Sequence, residues 1–130
     1  MAEHPNIALV RKGYEAFASG DMDALASMFS DDLVWHATGR NPFSGDYKGI
    51  EETLTYFGKL VERTGGTFKA EMHTIVADDD HAVGMHHDSA DRDGKHLDVN
   101  EVLIFHVRDG KVFEAWELFT DAYAYDEFLN

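Results

Sequence analysis

Two glutamates stand where hydrophobic residues are expected. Glu101 falls between Val99 and Leu103 in alternation, and Glu117 between Ala115 and Phe119, in runs otherwise rich in Val, Ile, Leu, Phe and Trp. A carboxylate among hydrophobes is costly unless it has a partner or a task. Candidate partners stand on two earlier runs: His86 with Asp88, two residues apart, and His73. Side chains two apart on a strand share a face, so all five could project into one cavity. A histidine beside a carboxylate in an apolar pocket is a general acid/base pair, tuned by burial and neighbouring charge. His86, with Asp88 or Glu101, is therefore the candidate proton carrier.

The elements that must position these groups follow from periodicity. The glutamates lie on Lys95–Arg108 and Lys111–Thr120, joined by Asp109-Gly110, a dipeptide suited to a tight hairpin. Both faces of this hairpin are largely apolar, which places it mid-sheet. Thr67–Ala77 and His81–Asp91 alternate like strands, separated by the Asp78-Asp79-Asp80 turn. On them Lys69, Glu71, His73 and Ile75, and then Gly84, His86, Asp88 and Ala90, take the inner parity. Earlier in the chain the period is helical. Ile7, Val10, Tyr14 and Phe17 form one stripe, which Ser19-Gly20 ends. A short helix carries Met22, Leu25, Met28 and Phe29. A third carries Ile50, Leu54, Phe57, Leu60 and Val61, up to Gly65-Gly66. Between the second and third lie a short strand, Leu33–Ala37, and a loop, Thr38–Asp46. The tail Asp121–Asn130 is expected to dock as a partial helix or lid. The order α-α-β-α-β-β-β-β is an α+β layout: three N-terminal helices against a curved antiparallel sheet, leaving a cone-shaped pocket.

Composition narrows the partners. The chain has 130 residues, one domain's worth, and 44% are hydrophobic, enough for a core. With 25 acidic against 11 basic residues the net charge is −14, which argues against nucleic acid and anionic membranes. The lack of cysteine removes thiol chemistry and Cys-ligated zinc. No long apolar run marks a membrane span, so a cytoplasmic protein is expected. His73, His86, Asp88 and Glu101 are metal-ligand types, but no local ligand spacing joins them, so neither a metal nor another cofactor is expected. Val102, Ile104, Trp116 and Leu118 share the outer parity and are too apolar for solvent, which points to a homodimer through that face.

Several segments together resemble the NTF2-like superfamily in its SnoaL-like and ketosteroid-isomerase-like branch. They are Phe17-Ala18-Ser19-Gly20-Asp21, Met28 to His36 with its Trp35-His36, Tyr47-Lys48-Gly49-Ile50, Tyr56-Phe57, Val107 to Val112, and Trp116-Glu117 with Asp121. The resemblance spans nearly the whole chain and implies a cone with a pocket inside and dimers through the outer sheet face. It does not imply steroid isomerisation. Gly13, Ala37 and Leu103 stand where that isomerase's tyrosine, general-base aspartate and protonated aspartate fall. The same registers, with strand parity, place Trp35, Phe57, Val99, Leu103, Phe105, Phe113, Glu117 and Phe119 in the cone. Tyr14 lies on the helical stripe with its hydroxyl in reach of the cavity. The resulting expectation is a SnoaL-like cyclase, isomerase, dehydratase or hydrolase acting on a small, largely apolar, carbonyl-bearing molecule. The alternative is a non-catalytic module binding a hydrophobic metabolite.

Overall fold

A computed structural model describes residues 2–130. Helix α1 spans Pro5–Ser19 and begins with proline, whose missing N–H costs nothing there. His4 Nδ1 accepts from the Asn6 amide at 3.0 Å. Gly20 closes the helix in the left-handed region, φ 71°. Helix α2, Met22–Ser27, is capped by the Asp21 carboxylate. The remaining elements are β1 Phe29–Ala37, β2 Gly45–Lys48, α3 Gly49–Arg63, β3 Lys69–Ala77, β4 His81–Arg92, β5 Lys95–Arg108, β6 Lys111–Phe119 and α4 Ala122–Leu129.

The six strands form one sheet in the order β2-β1-β6-β5-β4-β3. Every neighbouring pair is antiparallel except β1 and β6. The expected hairpin is present: Asp109 and Gly110 have φ of 52° and 74°, the twist-matched turn that Asp-Gly favours. Helices α1 to α3 pack on the inner face. One core cluster gathers Val10, Leu25, Phe29, Trp35, Phe57 and Phe105, and a second lies under α4 with Leu60, Leu97, Val99, Tyr125 and Phe128.

Four expectations need correction. Part of the expected loop 38–46 is strand β2, paired with β1 through Trp35↔Tyr47. Four residues with no buried alternation carry too little pattern to be read as a strand. The first strand starts at Phe29, four residues before Leu33, so Phe29 belongs to the sheet. The other two come from bulges. β3 slips between Met72 and Thr74, and His73 is the extra residue. Below the slip Ala70 and Met72, not Lys69 and Glu71, pair with the inner residues Asp88 and His86, and His73 is exposed. A second slip, in the β5–β6 ladder, leaves Phe113 extra between Val112 and Glu114. Phe113 therefore leaves the inner face and packs beneath the Arg108 guanidinium, 4.4 Å from its ring, and beside His106. A bulge adds one residue, so parity counted across it is inverted.

Candidate functional site

His86 is the hub. On β4 it faces inward, directly opposite Glu101 of β5 and two residues from Asp88. Its Nε2 lies 2.9 Å from Glu101 Oε1 and 2.9 Å from Asp88 Oδ1. Its Nδ1 lies 2.7 Å from the Tyr14 hydroxyl of α1. The Tyr14 and His86 rings meet edge to face, with centroids 5.2 Å apart. All four are held by regular elements rather than loops.

The glycine at 84 makes this contact possible. A Cβ there would sit 2.5 Å from the Tyr14 oxygen. Gly84→Ala should therefore push the hydroxyl off His86 and cost about 1–3 kcal/mol through overpacking. Chemical denaturation measures the cost, and the Tyr14–His86 contact should be lost from the histidine NMR spectrum. An alanine variant as stable as the parent, with that spectrum intact, would show that Tyr14 is not so tightly placed.

The charge balance of the hub dictates where protons sit. Nε2 faces two carboxyl oxygens, so it carries the hydrogen, which it donates to Glu101. Both Asp88 oxygens are then left without a hydrogen-bond partner, although Asp88 is 0% exposed. Its 2.9 Å approach to Nε2 is close but badly angled for a shared hydrogen. Two bare carboxylates cannot share so dry a place. Burial first, then the charge of Asp88 beside it, hold the Glu101 carboxyl far above the usual carboxylate range. Glu101 is thus the neutral acid. Burial also pushes the Tyr14 hydroxyl up, so it stays protonated.

Glu117 on β6 forms a second polar point. It accepts from Trp35 Nε1 at 2.8 Å and from the Tyr56 hydroxyl at 2.8 Å. Burial raises its carboxyl while these two donors oppose the rise, leaving it at about 7. Tyr56 is stacked on Tyr47, centroids 4.5 Å apart. Trp35 stands edge-on to Phe57 at 4.9 Å and to Phe105 at 6.2 Å.

Both polar points open on one cavity of about 80 Å³. At roughly 10–15 Å³ per water it holds about six waters, or a ligand of similar size. Tyr14, Trp35, Phe57, His86, Glu101, Leu103, Phe105 and Glu117 line it as expected, and no lysine or arginine does among the described residues. Asp88 lies behind His86 rather than on the wall. Val99 is buried in the cluster under α4, and Phe119 stacks on Tyr125 with centroids 3.7 Å apart, so α4 stands between them and the cavity role expected of them. His73 and Phe113 are outside it because of the bulges.

Sequence reasoning missed Tyr56, which donates to Glu117, and the cavity residues Tyr125, Phe17, Phe29 and Phe68. Tyr56 was legible, since it falls on the i, i+4 face shared with Leu60 and is 1% exposed. The register also overturns one premise about metals. No local spacing joins His86, Asp88 and Glu101, yet pairing across β4 and β5 brings a ligand atom of each within 4.8 Å of the others.

A curved sheet folded over helices around a cavity is the NTF2-like architecture. The chain belongs to the SnoaL-like family, whose domain model matches residues 10–115. Among solved structures it is similar to Bal32a, from a soil-derived mobile gene cassette, at 42% identity and a TM-score of 0.94, covering 97% of each chain. A putative SnoaL-like polyketide cyclase from Jannaschia sp. CCS1 matches at 16% identity and a TM-score of 0.82, over 99% of this chain and 96% of that one, a likeness of fold. An uncharacterized protein of Mycobacterium tuberculosis is 25% identical over 129 residues, 98% of each chain. No helix among the described residues is long and apolar enough to cross a membrane.

Proposed function

We propose that the protein is a SnoaL-like general acid/base enzyme that enolises a small, largely apolar ketone or aldehyde in the cone. The observation that carries this reading is His86, bonded to Tyr14 on one nitrogen and set against two buried carboxyls on the other, at the wall of an aromatic cavity. The ligand's α C–H bond breaks and its proton passes to the Tyr14 oxygen as Tyr14 gives its own proton to His86 Nδ1. Asp88 offsets the imidazolium charge that results. The Glu101 O–H gives its proton to the carbonyl oxygen and completes the enol. Return of the proton to the same or another carbon gives exchange or isomerisation. A neutral acid and a base in one dry pocket is the arrangement such chemistry needs. The cavity volume limits the ligand to a compact molecule, and a fused polycyclic substrate would need the cone to open.

The test is solvent deuterium incorporation at the α-carbon of small cyclic ketones, read by NMR. The expected result is catalysed exchange that falls at least about 100-fold in Glu101→Gln and His86→Ala, each checked for folding. If ketones bind but none exchanges, the cone is a binding module. No metal enters this scheme, because protons balance the hub. Stoichiometric zinc or iron, surviving chelation and detected by elemental analysis, would make His86, Asp88 and Glu101 its ligands and overturn the scheme.

The outer sheet face supports the expected dimer. Val102, Ile104 and Trp116 are half-buried there and Leu118 is 43% exposed. Trp116→Glu should give monomers in sedimentation, and an unchanged dimer would move the interface elsewhere.

A further inference from the structure

The enolisation scheme leaves Glu117 without a task. It is 5% exposed, and its donors Trp35 and Tyr56 already fix its position. Its surroundings are aromatic. Trp35 meets Phe57, Phe105 and Phe29 at centroid distances of 4.9, 6.2 and 6.0 Å, and Tyr125 closes the wall from α4. Nothing cationic lines the cavity among the described residues. A carboxylate on an aromatic cavity wall, with no lysine or arginine on that wall, suits a positively charged nitrogen. The ring faces attract the cation and the carboxylate pairs with it. The overall charge of −14 steers cations toward the protein and anions away.

We propose that the Glu117 end of the cavity binds the ammonium group of a compact amine, so that among small carbonyl compounds an amino ketone or amino aldehyde is preferred over a neutral or acidic one. This rests on the cavity being the substrate site. The two ends suit one molecule. Glu101 pairs with Phe119, so Glu117 is its diagonal neighbour, roughly 7 Å away along the sheet. A ligand can place its carbonyl at Glu101 and Tyr14 and its nitrogen a few bonds away at Glu117.

Binding of a cation has a signature that mere apolar filling lacks. The titratable groups facing Glu117 are Tyr56 from α3, Tyr47 from β2, Tyr125 from α4, Glu101 from β5 and Asp88 from β4. None is a fixed cation. The tyrosines stay neutral, since burial raises each of them. With Glu117 at about 7, an ammonium must displace its proton below that pH. Amine affinity therefore rises about tenfold per pH unit up to about 7 and levels off above it.

The experiment compares three probes of one shape by calorimetry: cyclohexylamine, cyclohexanol and cyclohexanecarboxylate. The expected result at about pH 8 is binding of the amine at least about tenfold tighter than the alcohol, with none of the carboxylate. Glu117→Gln keeps an acceptor for Trp35 and Tyr56, and should abolish both the preference and the pH dependence. Equal or tighter binding of the alcohol, binding of the carboxylate, no saturable amine binding, or a preference that survives Glu117→Gln would each overturn the proposal. The amine preference is read without turnover. A protein that prefers the amine but exchanges no α-deuterium keeps this site and loses the enolisation scheme, and the opposite pair of results does the reverse.

Discussion

Replacing Asp88 by asparagine should make the protein more stable and stop its chemistry. Asp88 is 0% exposed, both its oxygens lack a partner, and its closest neighbours are His86 and a second carboxyl. A buried charge so poorly satisfied is a net cost that a neutral side chain of the same shape relieves. The amide can also donate to Glu101, which the carboxylate cannot. The expected gain is about 1–2 kcal/mol in urea denaturation at neutral pH. The expected loss is at least about 100-fold in α-deuterium exchange, because the imidazolium formed in the reaction no longer has its counter-charge. Stability given up at one place for a reaction is the usual signature of an active site. An asparagine variant that is markedly less stable would instead make Asp88 a structural partner of His86.

The second large effect is a stability that falls as the solution becomes less acidic. Glu117 has a folded value of about 7 against 4.5 for the free group. Between those values the folded state holds a proton that the unfolded chain has released, so unfolding becomes easier as pH rises through that window. At about 1.4 kcal/mol per unit, the difference amounts to about 3 kcal/mol, lost between roughly pH 4.5 and pH 7. Glu101 is raised too and acts in the same direction. Asp32 and Asp78 are lowered, mainly by hydrogen bonds from Ser30 and from the Asp80 amide, and act oppositely. Both are fully exposed and weakly coupled to folding. Denaturation midpoints over this range should therefore decline toward neutrality, and Glu117→Gln should flatten much of the decline. A parent protein that gains stability from pH 5 to pH 7 would mean that Glu117 is ionised throughout.

The fold and half of the site were legible for the same reason: unbroken strands keep their parity. β4 and β5 pair without a slip from His81↔His106 to Arg92↔Lys95, so His86, Asp88, Glu101 and Leu103 fell on the inner face as counted. His73 and Phe113 failed because each occupies a bulge, and a bulge leaves no periodic trace in the residues around it. Val99 and Phe119 kept their inner face but met α4, whose docking depends on tertiary contacts of Tyr125 and Phe128 rather than on strand pattern. Trp35 was placed inward by its strand, yet its bond to Glu117 joins residues 82 apart in sequence and could not be read from spacing. The partnership of Tyr14 with His86 was hidden similarly, since it needs the void at Gly84.

The central claim is that the hub of His86, Asp88 and Glu101 stores a transferable proton on a carboxyl facing the cavity. Infrared spectroscopy at neutral pH observes that proton directly, because a protonated carboxyl has a carbonyl band that a carboxylate lacks. With Glu117→Gln as the background, the account predicts one buried carboxylic-acid band at about pH 7.5, shifted by deuteration and lost in Glu101→Gln. A spectrum with no such band, every carboxyl being ionised, would contradict it.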